Sequence, residues 1–168
     1  MVIQYNTSVI YFDFIQSPIG PIKVESSDEA VISIEFLFGT HEKQAKTNHL
    51  TDDAVFQLNQ YFKGHLTEFD LPLHQSGSEF QLSVWKKLEE IPFGHTITYG
   101  ELAQKIGDPN KVRAVGAANG KNLFAIVVPC HRVIGLGGQL VGYAGGLQRK
   151  QWLLNFEKKA ISKQTSLF

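Results

Sequence analysis

The sequence predicts an α/β protein in two parts: a small three-stranded antiparallel sheet with one helix, followed by a mostly helical region. Three observations carry this reading. β-Branched and aromatic stretches alternate with turn residues early in the chain, the mark of short strands. After Ser78 the apolar residues recur at helical spacing, repeatedly behind a capping residue. The charge also changes sign: residues 1–78 hold 4 Lys and Arg against 10 Asp and Glu, whereas residues 79–168 hold 12 against 6. The stretch Leu73-His-Gln-Ser-Gly-Ser78 reads as the linker, giving domains over 1–76 and 77–168.

Strands are expected over Ile10–Ile15, Ile22–Ser26 and Val31–Phe38. Ser17-Pro-Ile-Gly-Pro21 and Ser26-Ser-Asp-Glu29 separate them, and connections this short suit an antiparallel meander. A helix follows from Thr51 to Lys63, with Thr51 as cap, Asp52 and Asp53 in its first turn and Gly64 ending it. Val55, Leu58 and Phe62 lie on one face. Ser78-Glu-Phe-Gln81 is a capping box that opens the next helix, with Phe80, Val84, Leu88 and Ile91 as its stripe and Pro92 as its stop. A second box, Thr98-Tyr-Gly-Glu101, opens a short helix to Ile106. Gly107-Asp-Pro-Asn110 turns into another, beginning at Lys111 and rich in small residues. Two short helices so joined resemble a helix-turn-helix. The last helix is expected from Gln148 to Lys158, with Trp152, Leu153 and Phe156 inward.

The 168 residues, 43% hydrophobic with 12 Phe, exclude a disordered or low-complexity chain. No apolar run reaches the roughly 18 residues of a membrane span, and the first residues lack a signal-peptide pattern. One cysteine makes neither an internal disulfide nor a thiolate zinc site, so the chain is expected in the cytoplasm. His41, His49, His65 and His74 lack a tight ligand spacing, and no metal and no cofactor are expected. The basic C-terminal part suggests a polyanionic partner. A chance division of charge between two solvated surfaces would look the same.

The single cysteine stands in Ile126-Val-Val-Pro-Cys-His-Arg-Val133. The β-branched run reads as a buried strand that stops at Pro129 and presents Cys130 at its tip, with His131 beside it. A thiolate is the reactive form of cysteine, and a neighbouring imidazole can take the thiol proton. A free cysteine is also commonly a small buried apolar residue, and Cys-His alone leaves both readings open. The glycines at 135, 137, 138, 142, 145 and 146 match neither nucleotide loop. A dinucleotide fingerprint from Gly135 would need glycine where Leu140 stands, and no Gly-Lys-Ser/Thr follows.

Pro129-Cys-His-Arg-Val133 resembles the active-site signature of the O6-alkylguanine-DNA alkyltransferases, in their bacterial form. The likeness extends through Thr98-Tyr-Gly-Glu-Leu-Ala103, Arg113-Ala-Val-Gly116, Asn122, Gly142-Tyr-Ala-Gly-Gly146, Arg149-Lys-Gln-Trp-Leu-Leu154 and Glu157. It is tight over residues 78–158 and loose before, through Ser17–Pro21. The resemblance implies a ribonuclease H-like N-terminal α/β domain and a winged helix-turn-helix-like C-terminal domain. It implies direct, irreversible transfer of the alkyl group of O6-alkylguanine, and of O4-alkylthymine, to Cys130. His131 would relay the thiol proton through a water, Glu157 would orient His131, and Tyr99 would donate toward N3 of the leaving guanine. Arg113 would fill the stack as the base flips through the minor groove of double-stranded DNA, with Ala114 and Gly116 allowing close approach. Asn122 would act as a hinge, and Val133, Tyr143, Ala144 and Gly145 would line the substrate pocket. Some relatives have Ser at the position of Ala144 and Pro at that of Ala125, departures that bear on adduct preference.

Two rival functions remain at this point: a DNA-binding module that does not consume its cysteine, and a cysteine hydrolase that turns over. Beyond the last expected helix, Gln164-Thr-Ser-Leu-Phe168 resembles the pentapeptide by which bacterial polymerases and repair factors bind the sliding clamp. It places Gln164, Leu167 and Phe168 in a tail expected to be flexible. The protein is otherwise expected to be a monomer with no membrane partner.

Overall fold

The computed structural model describes residues 9–41 and 44–166. Three strands, β1 (Tyr11–Ser17), β2 (Gly20–Ser26) and β3 (Val31–Phe36), form an antiparallel meander in the order β1-β2-β3. Ile15 pairs with Ile22 and Ile22 with Phe36, which brings the apolar residues of all three strands to one face. Ser17 closes the first turn by donating its hydroxyl to the Gly20 carbonyl at 2.6 Å, and Gly20 takes the positive φ the turn needs. β3 ends at Phe36, before the expected Phe38, whose ring is largely exposed. Helix α1 (His49–Phe62) covers the sheet with Ala54, Leu58 and Tyr61, all fully buried.

The cap of α1 differs from expectation. Asn48, not Thr51, is the N-cap, and its side-chain oxygen accepts from the N–H groups of Leu50 and Thr51. Thr51 is the reciprocal partner in that box, its hydroxyl accepting from the Asn48 N–H. Asn48 prevails because the two ends of its amide reach the end of β2 as well as the helix: its Nδ2 also donates to the Ser27 carbonyl, while Ser26 donates to its Oδ1. Thr51 offers a single hydroxyl.

The second part begins with α2 (Glu79–Glu89), capped by Ser78 in the expected box. A short strand β4 (Ile97–Thr98) leads into α3 (Tyr99–Ile106), which Thr98 and Glu101 cap reciprocally and Gly107 ends in the left-handed conformation. A 3₁₀ turn over Pro109–Lys111 connects to α4 (Val112–Gly120), completing the helix pair. Trp85 of α2 donates its indole N–H to the Ala118 carbonyl at 2.8 Å, pinning α4 against α2. Strand β5 (Val133–Ile134) runs parallel to β4, and the Gly135 N–H closes a turn onto the Gln139 carbonyl. That turn is the wing-like element.

Two expectations fail here. No strand precedes Cys130: residues 125–128 form tight turns, and Cys130–Arg132 is a 3₁₀ turn. Ile126 has φ 73°, a strained value for a β-branched residue, and around it the Val127 N–H bonds the Ala125 carbonyl. The β-branched run is largely buried as a strand would be, but the N–H groups of Val127 and Val128 bond the Ala125 and Phe124 carbonyls, and Asn122 bonds the Val128 carbonyl. The final helix α5 (Leu147–Thr165) begins near the expected residue yet runs well past Lys158. Lys163, Gln164 and Thr165 are therefore helical rather than a flexible tail, while Leu167 and Phe168 lie outside the described residues.

The two parts meet along the edge of β3. The Ile34 N–H donates to the Leu123 carbonyl and the Ala125 N–H to the Ile34 carbonyl, both at 2.8 Å. Arg149 of α5 clasps the sheet side, donating to the Ile19 carbonyl at 2.8 Å and the Leu37 carbonyl at 3.0 Å. Its guanidinium also lies over the rings of Phe36 and Phe38. Replacing Arg149 by Met keeps the stem but leaves two carbonyls unpaired, and should cost about 2–3 kcal/mol of unfolding free energy. Urea denaturation measures this; a loss below about 0.5 kcal/mol would mean the junction does not depend on Arg149.

Candidate active site

Cys130 sits at the start of its 3₁₀ turn, 7% exposed, where three segments converge. Asn122 donates from Nδ2 to the Cys130 sulfur at 3.2 Å and to the Val128 carbonyl at 2.8 Å. Its Oδ1 accepts from the Phe124 N–H, so one amide ties the end of α4 to the turns that lead into the cysteine. Burial pushes the Cys130 thiol up, against smaller opposing effects from Asn122 and Lys150. The resting group is a thiol.

His131 is fully buried, and its Nε2 lies 2.7 Å from Oε1 of Glu157 in α5. Burial lowers the imidazole below its ordinary pKa, and Glu157 only partly opposes this, so His131 is neutral at pH 7. A neutral imidazole facing a carboxylate carries its proton on Nε2. Its Nδ1 is then the basic atom, and Nδ1 is buried with no protein partner. The Asn119 Oδ1 and the Tyr143 hydroxyl, both near Cys130, likewise have none. His131 and Glu157 are 26 positions apart in sequence and meet through the packing of α5 against the turn.

Glu157 is the most heavily bonded side chain at the site. Oε1 accepts from His131, from the Tyr61 hydroxyl at 2.7 Å and from Arg132 Nη2 at 3.0 Å. Oε2 accepts from Arg132 Nε and from the Gly94 N–H, both at 2.9 Å. Burial would push this carboxyl up; the hydrogen bond from His131 and the guanidinium of Arg132 hold it well below the usual carboxylate range. Arg132 is completed by donation to the Ile91 carbonyl at 2.6 Å.

The other expected residues fall as follows. Tyr99 opens α3 and is half-buried, with its hydroxyl donating to the Val141 carbonyl at 2.9 Å. Arg113 and Ala114 are exposed in the first turn of α4, with Gly116 half-buried beyond them. Val133 is fully buried, Tyr143 half-buried against Phe36, and Ala144 exposed. Gly145 is tightly enclosed, since a Cβ there would come within 2.7 Å of both Phe36 and Tyr143. Among the described residues no cluster of His, Cys, Asp and Glu could hold a metal. A cleft of about 1000 Å³ is lined in part by Pro129 and Arg132 but not by Cys130, so size alone does not locate the chemistry.

Three residues of the site went unassigned from sequence. Arg132 lies inside the signature, and Lys150 inside the Arg149–Leu154 stretch. The Lys150 ammonium is buried, with the Val141 and Gly142 carbonyls as acceptors and the Tyr99 ring 5.7 Å away. Tyr61 was findable: Ala54, Leu58 and Tyr61 repeat at helical spacing, a stripe closer to the true inner face than Val55, Leu58 and Phe62.

The family described as 6-O-methylguanine DNA methyltransferase matches through both of its parts, the ribonuclease-like domain over residues 10–75 and the DNA-binding domain over residues 79–159. The chain belongs to this family. Its enzyme class is that of the methylated-DNA–protein-cysteine methyltransferases, proteins of DNA repair. The chain is 46% identical to the one from Mycobacterium tuberculosis over 166 residues, covering 95% of this chain and 99% of that protein. It is 45% identical to the Methanosarcina acetivorans protein, with 88% and 98% covered. A crystal structure of M. tuberculosis OGT in complex with DNA superimposes with a TM-score of 0.81 and 46% identity, covering 89% of this chain and 93% of that one. No described helix is long and apolar enough to cross a membrane.

Glu157→Gln would leave the buried Arg132 guanidinium without its counter-charge and should cost about 3–5 kcal/mol of stability by urea denaturation at neutral pH. A neutral outcome would mean that the pair does not hold the site. The sign with pH follows from His131: its folded pKa is below the ordinary 6.5, so below that pH the unfolded chain binds the extra proton. The wild-type melting temperature should therefore fall as pH drops below about 6.5, less so in His131→Asn. The Glu157 contribution is lost at lower pH, progressively as pH falls through the ordinary carboxylate range and below it.

Proposed function

We propose that this protein repairs double-stranded DNA by moving the alkyl group of O6-alkylguanine onto Cys130, once per molecule, with O4-alkylthymine as a second substrate. The observation that carries the reading is the buried Cys130-His131 turn, in which Glu157 holds His131 Nε2 at 2.7 Å and leaves Nδ1 without a protein partner, with burial keeping the thiol and the imidazole neutral. The cysteine sulfur attacks the alkyl carbon; the S–C bond forms as the C–O6 bond breaks, and the electron pair leaves on guanine. The thiol proton passes through a water to His131 Nδ1, and Glu157 stabilises the imidazolium that results. The Tyr99 hydroxyl, once it exchanges its bond to the Val141 carbonyl, donates a hydrogen bond to N3 of the leaving guanine and neutralises the charge that develops there, and the proton held by His131 passes through solvent to the released guanine. The product is a thioether with no nearby group able to remove it.

Reaching a base inside a duplex requires flipping. The exposure of Arg113 and Ala114 at the start of α4 supports Arg113 as the wedge that fills the stack, entering from the minor groove with Ala114 and Gly116 against the backbone. Asn122 then acts as the hinge between that helix and the cysteine. Val133, Tyr143, Ala144 and Gly145 form the base pocket, where the unpartnered Tyr143 hydroxyl and Asn119 Oδ1 supply polar contacts. Ala125 and Ala144, small where some relatives have Pro and Ser, leave room to admit bulkier alkyl groups. The protein acts as a cytoplasmic monomer, with its domain boundary between residues 76 and 77. A contact with the sliding clamp through Gln164, Leu167 and Phe168 would require the last turn of α5 to unwind, which makes it weaker than a free tail would give.

The test is intact mass after incubation with a duplex bearing O6-methylguanine. One added methyl on Cys130, no turnover and complete loss in Cys130→Ala are expected. Clearance of the lesion by Cys130→Ala, or repeated turnover, would overturn the assignment.

A further inference from the structure

The relay residues lie in the C-terminal part of the chain, yet the carboxylate that orients His131 is also held from the other part. Tyr61, near the end of α1, is fully buried. Its ring lies 5.3 Å from Phe62, 5.6 Å from Phe69, 5.9 Å from Phe93 and 5.4 Å from Phe156, centroid to centroid. Within this aromatic cage the hydroxyl has one acceptor, Glu157 Oε1, at 2.7 Å. His131 Nε2 meets the same oxygen at the same distance. Donors that share one oxygen share its charge, and each weakens the hold on the other.

We propose that Tyr61 is a positioning residue of the alkyl-transfer relay: its hydroxyl competes with His131 for Oε1 of Glu157 and so limits how strongly that carboxylate holds a proton on His131. The inference rests on the function proposed above. Arg132 and the Gly94 N–H already bond both carboxylate oxygens from the C-terminal part, so Tyr61 is not needed to satisfy Glu157. It adds competition at Oε1 and a rigid tie to α1. The groups that act on His131 are Glu157 and Lys150 from α5, Arg132 and Cys130 beside it, and Tyr61 from α1 through Glu157. Burial and the charge of Glu157 hold the Tyr61 phenol well above its usual pKa, so it donates at every pH of interest.

Tyr61→Phe removes the hydroxyl and keeps the ring. The measurement is the pH dependence of single-turnover benzyl transfer from free O6-benzylguanine to Cys130, followed by intact mass on the full chain. With its competitor gone, Glu157 raises the proton affinity of His131, and the acid limb should move up by about half a pH unit or more. Near the acid end this reads as a roughly threefold loss of rate that fades toward neutral pH. An unmoved profile, or an equal loss at every pH, overturns the inference. Should the wild type take up no alkyl group, the proposed function fails, and NMR titration of His131 in the two proteins decides this point separately. A higher midpoint in Tyr61→Phe supports it, and equal midpoints overturn it. Should the variant not fold, a wild-type cross-peak between the Tyr61 hydroxyl proton and the His131 Nε2 proton supports the inference, and its absence overturns it.

Discussion

The carboxylate of Glu157 is buried, charged and bonded by five donors from three separate segments of the chain. Taking such a charge out of water costs several kcal/mol, and only well-placed donors offset it. The donors come from α1, from the loop after α2 and from the Cys130–Arg132 turn, which supplies both His131 and Arg132. The carboxylate therefore constrains where all of these elements end. Gly94 illustrates the tightness: it has φ 76°, and a Cβ there would fall 2.1 Å from Ile161 Cδ1 in α5. Only glycine brings that N–H to the carboxylate. Stability and chemistry here share one group.

Around that fixed charge, the reacting groups are kept neutral. A buried, protonated thiol is a poor nucleophile toward whatever reaches it from solution. A neutral imidazole with an unpartnered Nδ1 is a base ready to act once a substrate completes the site. Lys150, buried near Cys130, lowers the cost of the negative charge that forms on sulfur as the proton departs. The strained Ile126 contributes to the same arrangement. By turning the chain tightly ahead of Pro129, it sets Cys130 and His131 in a 3₁₀ turn, where adjacent side chains do not face opposite ways as they would in a strand.

What the sequence made legible was whatever is decided locally. Ser78 and Thr98 cap their helices within four residues, and both boxes appear where the pattern places them. The meander is legible because its turns are short and its alternation regular. Asn48 was missed because its advantage over Thr51 depends on Ser26 and Ser27, far away in sequence. The run before Cys130 misled because burial and β-branching suit a strand, while the backbone found its partners in turns and in Asn122. Cys130 and His131 could be picked out as a pair, and Glu157 only through family resemblance. Arg132, Lys150 and Tyr61 gained their roles through packing across the two parts, which no local pattern encodes.

At neutral pH Glu157 is ionised and His131 is neutral, with its proton on Nε2 and its Nδ1 free to accept another. Nitrogen-15 NMR of the His131 imidazole in the unreacted protein near pH 7.5 reads this directly. A protonated Nε2 and an unprotonated Nδ1 are expected. A proton on Nδ1, in either the opposite tautomer or the imidazolium, would mean that His131 is not the resting base.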